Sequence, residues 1–116
     1  MNIRIGEEIK GDVAVLTVSG RTLMSGPDVV DLHNRVRRLV KDGITKAVVD
    51  LSGVRWAGSA LLGVLAASLT TLRNAEGDLR ICGLSGKMRS LFLVTELNRL
   101  FQTYETQEEA VSSFSG

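Results

Sequence analysis

The sequence predicts an α/β fold: a mixed sheet of four to five strands with about four helices, in the order β-β-α-β-α-β-α-β-α. Three observations carry this expectation. Short β-branched runs such as Val13–Val18 and Thr45–Leu51 alternate with longer stretches whose apolar residues recur at helical spacing. Gly, Ser and Asp punctuate the junctions between them. The 116 residues are 44% hydrophobic and 23% charged, a globular composition with enough chain for one core without metal or disulfide staples. No internal repeat, low-complexity segment or linker interrupts the chain, so residues 1–116 read as a single domain.

Taken in order, Ile3 to Ile9 alternates roughly apolar and polar, as an edge strand does. The turn Lys10-Gly11-Asp12 joins it to the strand Val13–Val18, and so short a link implies an antiparallel hairpin. Gly20 to Met24 reads as a loop. Ser25-Gly26-Pro27-Asp28 then starts a helix, with Ser25 as cap, Pro27 in the first turn and Asp28 completing a capping-box-like pattern. Val29, Leu32, Val36 and Leu39/Val40 form its apolar stripe. Arg35, Arg37, Arg38 and Lys41 fall on the far face or near the C-terminus, where cations suit the helix dipole, and Gly43 is the C-cap.

Thr45 to Leu51 is the third strand, and the intervening helix permits it to pair in parallel with the second. Gly58 or Ser59 opens the next helix, with Leu61/Leu62, Leu65, Leu69 and Leu72 as its buried stripe and Glu76-Gly77-Asp78 as its end. Leu79–Gly83 is a fourth strand. Leu84-Ser85-Gly86 leads into a third helix with Met88, Leu91, Phe92 and Thr95 inward. Leu97, Leu100 and Phe101 are further core candidates, and Gln102–Glu105 offers an edge strand. Thr106-Gln107-Glu108-Glu109 is a capping box for a last helix that uses Ala110, Val111 and Phe114.

The composition argues against several functions. A net charge of +1 gives no electrostatic case for nucleic acid or an anionic membrane, and 4% aromatic residues is too few for a base-stacking platform. The single cysteine, Cys82, forms no disulfide within the chain, which fits a reducing compartment. The N-terminus lacks a signal-peptide pattern, and the longest apolar stretch, near Leu61–Ala67, is too short to span a bilayer. The expected location is the cytoplasm, with no membrane insertion and no direct nucleic-acid partner.

Catalytic chemistry is not visible. His33 is the only histidine and sits in a helical pattern, where a surface or boundary role is the plain reading. Cys82 lies in a central strand with no histidine near it in sequence, so it reads as a small hydrophobe. Gly83-Leu84-Ser85-Gly86-Lys87-Met88 fails as a phosphate loop, because Ile81 and Met88 stand where Gly and Ser/Thr are required. Gly58-Ser59-Ala60-Leu61-Leu62-Gly63 lacks dinucleotide-binding glycine spacing. The acids Asp28, Asp31, Asp50, Asp78 and Glu96 form no pair whose spacing forces proximity. Neither a catalytic set, a metal site nor a cofactor is expected, and a binding module is favoured over an enzyme.

The informative stretch is Val48 to Leu65, read as strand, tight polar loop and helix start. Its corner holds Arg55, Trp56, Gly58, Ser59, Ala60, Leu61 and Leu62. Trp56, the only tryptophan, either covers the end of the core or anchors a protein partner, since Trp and Arg are enriched in hot spots. Ser59 is either a plain helix cap or a phosphoacceptor, because a phosphate at a helix N-terminus is stabilised by free N–H groups and the dipole.

These residues resemble a family. Val48-Val49-Asp50-Leu51-Ser52-Gly53-Val54, the serine before an apolar helix and Leu62-Gly63-Val64-Leu65 look like a STAS domain. So do Gly77-Asp78-Leu79-Arg80-Ile81-Cys82-Gly83 and the tail from Leu97-Asn98-Arg99-Leu100-Phe101 to Glu108-Glu109-Ala110. The chain is most similar to bacterial anti-sigma-factor antagonists. The resemblance implies a protein that binds an anti-sigma factor, itself a serine kinase, and so frees a sigma factor. In typical members the helix opens Asp-Ser-Ser-Gly-Leu-Gly, and the kinase phosphorylates the second serine. Here Gly58 stands at the motif Asp, Ser59 at the first serine, Ala60 at the usual phosphoacceptor and Leu61 at the motif glycine. Alanine has no hydroxyl, so three alternatives follow: a shifted phosphoacceptor at Ser59, a constitutive binder, or an accessory or scaffold subunit of a transport or signalling complex.

Overall fold

The computed structural model describes residues 4–23 and 27–115. Among them are five strands and five helices: β1 (Arg4–Lys10), β2 (Val13–Leu23), α1 (Pro27–Lys41), β3 (Lys46–Ala57), α2 (Ser59–Asn74), β4 (Asp78–Cys82), α3 (Gly86–Val94), α4 (Leu97–Leu100), β5 (Thr103–Tyr104) and α5 (Gln107–Ser112). The strands lie side by side in chain order, β1-β2-β3-β4-β5. β1 and β2 form the expected antiparallel hairpin; every later pairing is parallel. The expected Ser25 cap of α1 falls outside the described residues. The short α4 turn is an addition to the sequence-based order.

Strand alternation sends side chains to two faces. Ala14, Leu16, Val18, Ala47, Val49, Leu51, Leu79 and Ile81 meet the apolar stripes of α1 and α2, together with Met88, Phe92 and Phe101. The Phe92 and Phe101 rings lie 6.0 Å apart and tilted by 50°, an arrangement that suits the aromatic quadrupole. On the other face, Val13, Val15, Val48 and Cys82 are covered by Ala110 of α5, with Tyr104, Val111 and Phe114 at the margin. The Thr106 capping box is present: its hydroxyl accepts from the Glu109 N–H at 3.2 Å, and Glu109 accepts from the Thr106 N–H at 3.2 Å. Thr95 and Leu100, expected inside, are exposed; Thr95 caps the end of α3, and its hydroxyl donates to the Leu91 carbonyl.

Two strands are longer than the sequence implies, for one shared reason. Gly20 to Leu23, expected as loop, continues β2, and residues 52–57, expected as loop, continue β3; the two extensions pair with each other. Between Thr17↔Asp50 and Ser19↔Gly53, β2 advances two residues while β3 advances three, which is a β-bulge on β3. The extra residue breaks the alternation, so that Leu51 and Val54 both enter the main core. Gly53 makes the close approach possible, since a Cβ there would lie 2.8 Å from Ser19 Cβ and 3.1 Å from the Val18 carbonyl oxygen.

Candidate functional site

β2, β3 and β4 each lead from their C-terminal ends into a helix, so the starts of α1, α2 and α3 share one end of the sheet. Such an end is where parallel sheets present loops and helix N-termini to ligands. The bulged extension of β3 reaches beyond the regular sheet at this end. It places Arg55 and Trp56 on the surface and Ala57 in the core.

α2 begins directly afterwards. Gly58 is its N-cap in extended conformation, with no side chain capping the helix, and the first turn carries no acid. Ser59 is exposed; Gly58, Ala60 and Leu62 are half-buried. Leu61, which the sequence places both on the helix's buried stripe and in the corner, is fully buried in the core. That corrects its expected role as a contact residue: it sits one turn before Leu65 on the buried stripe. The free first-turn N–H groups and the exposed Ser59 hydroxyl make an electropositive helix start.

The corner does not stand alone. Ser85, the N-cap of α3, donates its hydroxyl to the Arg55 carbonyl at 3.0 Å and accepts from the Met88 N–H at 3.2 Å. One serine thus both starts α3 and pins it to the end of β3. The result is a groove of about 420 Å3 lined by Trp56, Lys87, Ser90, Leu91 and Val94. Trp56 is 37% exposed, Leu93 61% and Val94 82%. The sequence reading missed this wall. Its signal was the run Leu91-Phe92-Leu93-Val94: four consecutive apolar residues wrap farther round a helix than one buried stripe needs.

The remaining candidates are structural. Asp50 is 7% exposed; its carboxylate accepts from the Ser52 N–H at 2.9 Å and from the Gln107 amide at 2.7 Å. Burial raises its pKa, but these hydrogen bonds, with that of the Ser52 side chain, outweigh burial and leave it below the ordinary carboxylate value. Gln107 also accepts from Lys10 Nζ at 3.1 Å, so the network ties β1, β3 and α5 together. Gly83, with φ +76°, passes so near that a Cβ would lie 2.9 Å from Asp50 Oδ1. The Cys82 thiol is pushed up to about 12 by burial and then by the charges of Asp50 and Glu108, which makes it a poor nucleophile. His33 is half-buried and shares a 2.9 Å hydrogen bond with Thr71 of α2; burial and then Arg37 lower its pKa. Among the described residues no three His, Cys, Asp or Glu side chains gather to hold a metal ion, and no helix is long and apolar enough to cross a membrane.

The family model described as "Mlab, STAS domain" matches residues 5–102. An anti-sigma factor antagonist from Mycobacterium paratuberculosis superposes with a TM-score of 0.83 at 26% identity, covering 99% of this chain and 96% of that one. A STAS domain protein from Planctomyces limnophilus gives 0.78 at 19% identity, covering 100% of both chains. The Bacillus cell fate determinant SpoIIAA, in its phosphorylated form, gives 0.74 at 18% identity, covering 96% and 99%. No curated protein sequence matches the chain. The matched family model spans the bulged strand, the uncapped helix start and the sheet that carries them, and so the chain belongs to the STAS-domain family.

Proposed function

We propose that this protein is an anti-sigma-factor antagonist acting in the cytoplasm. In this reading its Arg55–Leu62 corner docks an anti-sigma factor or serine kinase, and sigma factor is released as a result. One observation carries it: a bulged strand extension holds Arg55 and Trp56 on the surface beside an uncapped helix start with an exposed Ser59. The likeness to the Mycobacterium paratuberculosis antagonist along nearly the whole of both chains supports it. Within this reading Ser59 is the phosphoacceptor. A phosphate there gains the free N–H groups of α2 while adding roughly −1.5 to −2 charge to the docking face. Pull-down of the tagged protein from its native cells tests the proposal. Recovery of an anti-sigma factor or kinase is the expected result; its consistent absence overturns the reading.

A second reading is favoured by Ala60, which carries no hydroxyl where the family pattern places the phosphoacceptor. Under it the protein is an accessory or scaffold subunit of a transport or signalling complex, not switched by phosphorylation. Intact-mass measurement of protein from native cells separates the two. A phosphate adduct that disappears in Ser59→Ala supports the switch; an unmodified mass under every growth state supports a protein without the switch, either a constitutive binder or the scaffold.

A further inference from the structure

Lys87, Ser90, Leu91 and Val94 follow the spacing i, i+3, i+4, i+7, so they share one face of α3. The core uses a different stripe of the same helix, Met88 and Phe92. Trp56 lines the same open hollow, and Ser85 ties α3 to the strand through the Arg55 carbonyl. The trough is therefore set by covalent chain and a cap, and its walls are mainly apolar. Val94 at 82% exposed is unusual for a valine in the last turn of a helix beside a tryptophan.

The charge around the trough is one-sided. Lys87 is the only charged lining residue. It is exposed, and among the described residues no acid pairs with it. The next acid along the chain beyond Val94 is Glu96, which is paired with Arg99 at 3.5 Å.

We infer that this groove seats an amphipathic helix of a partner protein, with apolar residues at i, i+3 or i+4, and i+7 and an acidic flank that meets Lys87. The inference rests on the docking reading above and deepens it by naming the chemistry that lies against its Trp56 side. Side-chain walls with helical spacing on one of them accept the ridge of another helix. The apolar contact supplies affinity, and the Lys87 cation selects an acidic segment and speeds its approach.

Trp56 is the only tryptophan, so its emission reports occupancy directly. A displayed library of helical peptides of about 16 residues, long enough to hold a helix, is selected on the purified protein. The expected winners are amphipathic, carry Asp or Glu on the flank, and shift Trp56 emission to the blue. They lose at least about tenfold in affinity for Val94→Asp and for Lys87→Glu, but bind Val30→Asp, an exposed valine of α1, as they bind the unaltered protein. Basic winners, an unenriched library, or equal binding to all three variants overturns the inference. So does concentration-dependent dimerisation abolished by Val94→Asp, which would make a second copy the occupant. A native partner captured by the protein but indifferent to Val94→Asp and Lys87→Glu defeats the groove while leaving the docking reading intact. Acidic helices selected as expected, with no sigma-regulating partner in native cells, defeat that reading while leaving the groove.

Discussion

Asp50 closes the regular part of β3 with both carboxylate oxygens engaged, one by the Ser52 N–H and one by Gln107. Asp50→Ala leaves both donors short of a partner in a region with little water, and the expected loss is about 1–3 kcal/mol in urea denaturation at neutral pH. Acid titration supplies a second check. The folded pKa lies below the ordinary 3.8, so the Asp50 contribution is fully present above 3.8 and is lost as pH falls through the lower folded value. Asp50→Asn therefore flattens the fall in stability below about pH 4 relative to the unaltered protein. In the sequence Asp50 is one of several scattered acids, because its partner Gln107 lies 57 residues away and nothing local announces the pairing. The places of Ser59, at a helix start, and of Trp56, at the corner before it, were legible at this scale, since a serine opening an apolar helix and a lone tryptophan beside arginine are local facts. Leu61 was read both ways, on the buried stripe and at the corner, because which leucine of the pair Leu61/Leu62 turns inward depends on the angle at which α2 meets the sheet.

Strands and helices were legible wherever their signals were periodic. The stripes of α1 and α2, the first hairpin and the Thr106 capping box all follow from spacing within one segment. The β2 and β3 extensions did not, because Ser-Gly marks a bulge as readily as a turn, and only the partner strand decides between them. Gly53→Val tests the bulge: its Cβ would meet Ser19 Cβ at 2.8 Å and force β2 from β3. The expected cost is about 1–3 kcal/mol by denaturant midpoint, as for other overpacked sites, and wild-type stability would contradict the geometry. The capping box makes a separate prediction. Thr106→Ala removes the acceptor for the Glu109 N–H and destabilises α5 by about 1 kcal/mol. Cys82 is buried on the sheet face that α5 covers, so its rate of alkylation should rise in this variant; an unchanged rate would mean that α5 holds without its cap.

At the scale of the whole molecule, the bulge, the Ser85 pin and α3 act together to present Trp56 without committing it to the core. Trp56→Ala is therefore expected to weaken partner binding by about 2 kcal/mol, the size of a hot-spot loss, while leaving the unfolding midpoint nearly unchanged. Calorimetric binding and thermal unfolding on the same sample read both quantities; a large fall in stability would place Trp56 in the core instead. The strand order has a different consequence, for synthesis. Because the sheet order equals the chain order, each strand emerging from the ribosome finds its neighbour already made, and no later strand must insert between earlier ones. The two faces are nevertheless covered at different times. α1 and α2 arrive between the strands they cover, whereas Val13, Val15 and Val48 wait for α5, the last element. A nascent chain that has reached β5 thus carries one finished face and one bare apolar face, and for that interval it exposes valine-rich strands open to unwanted association.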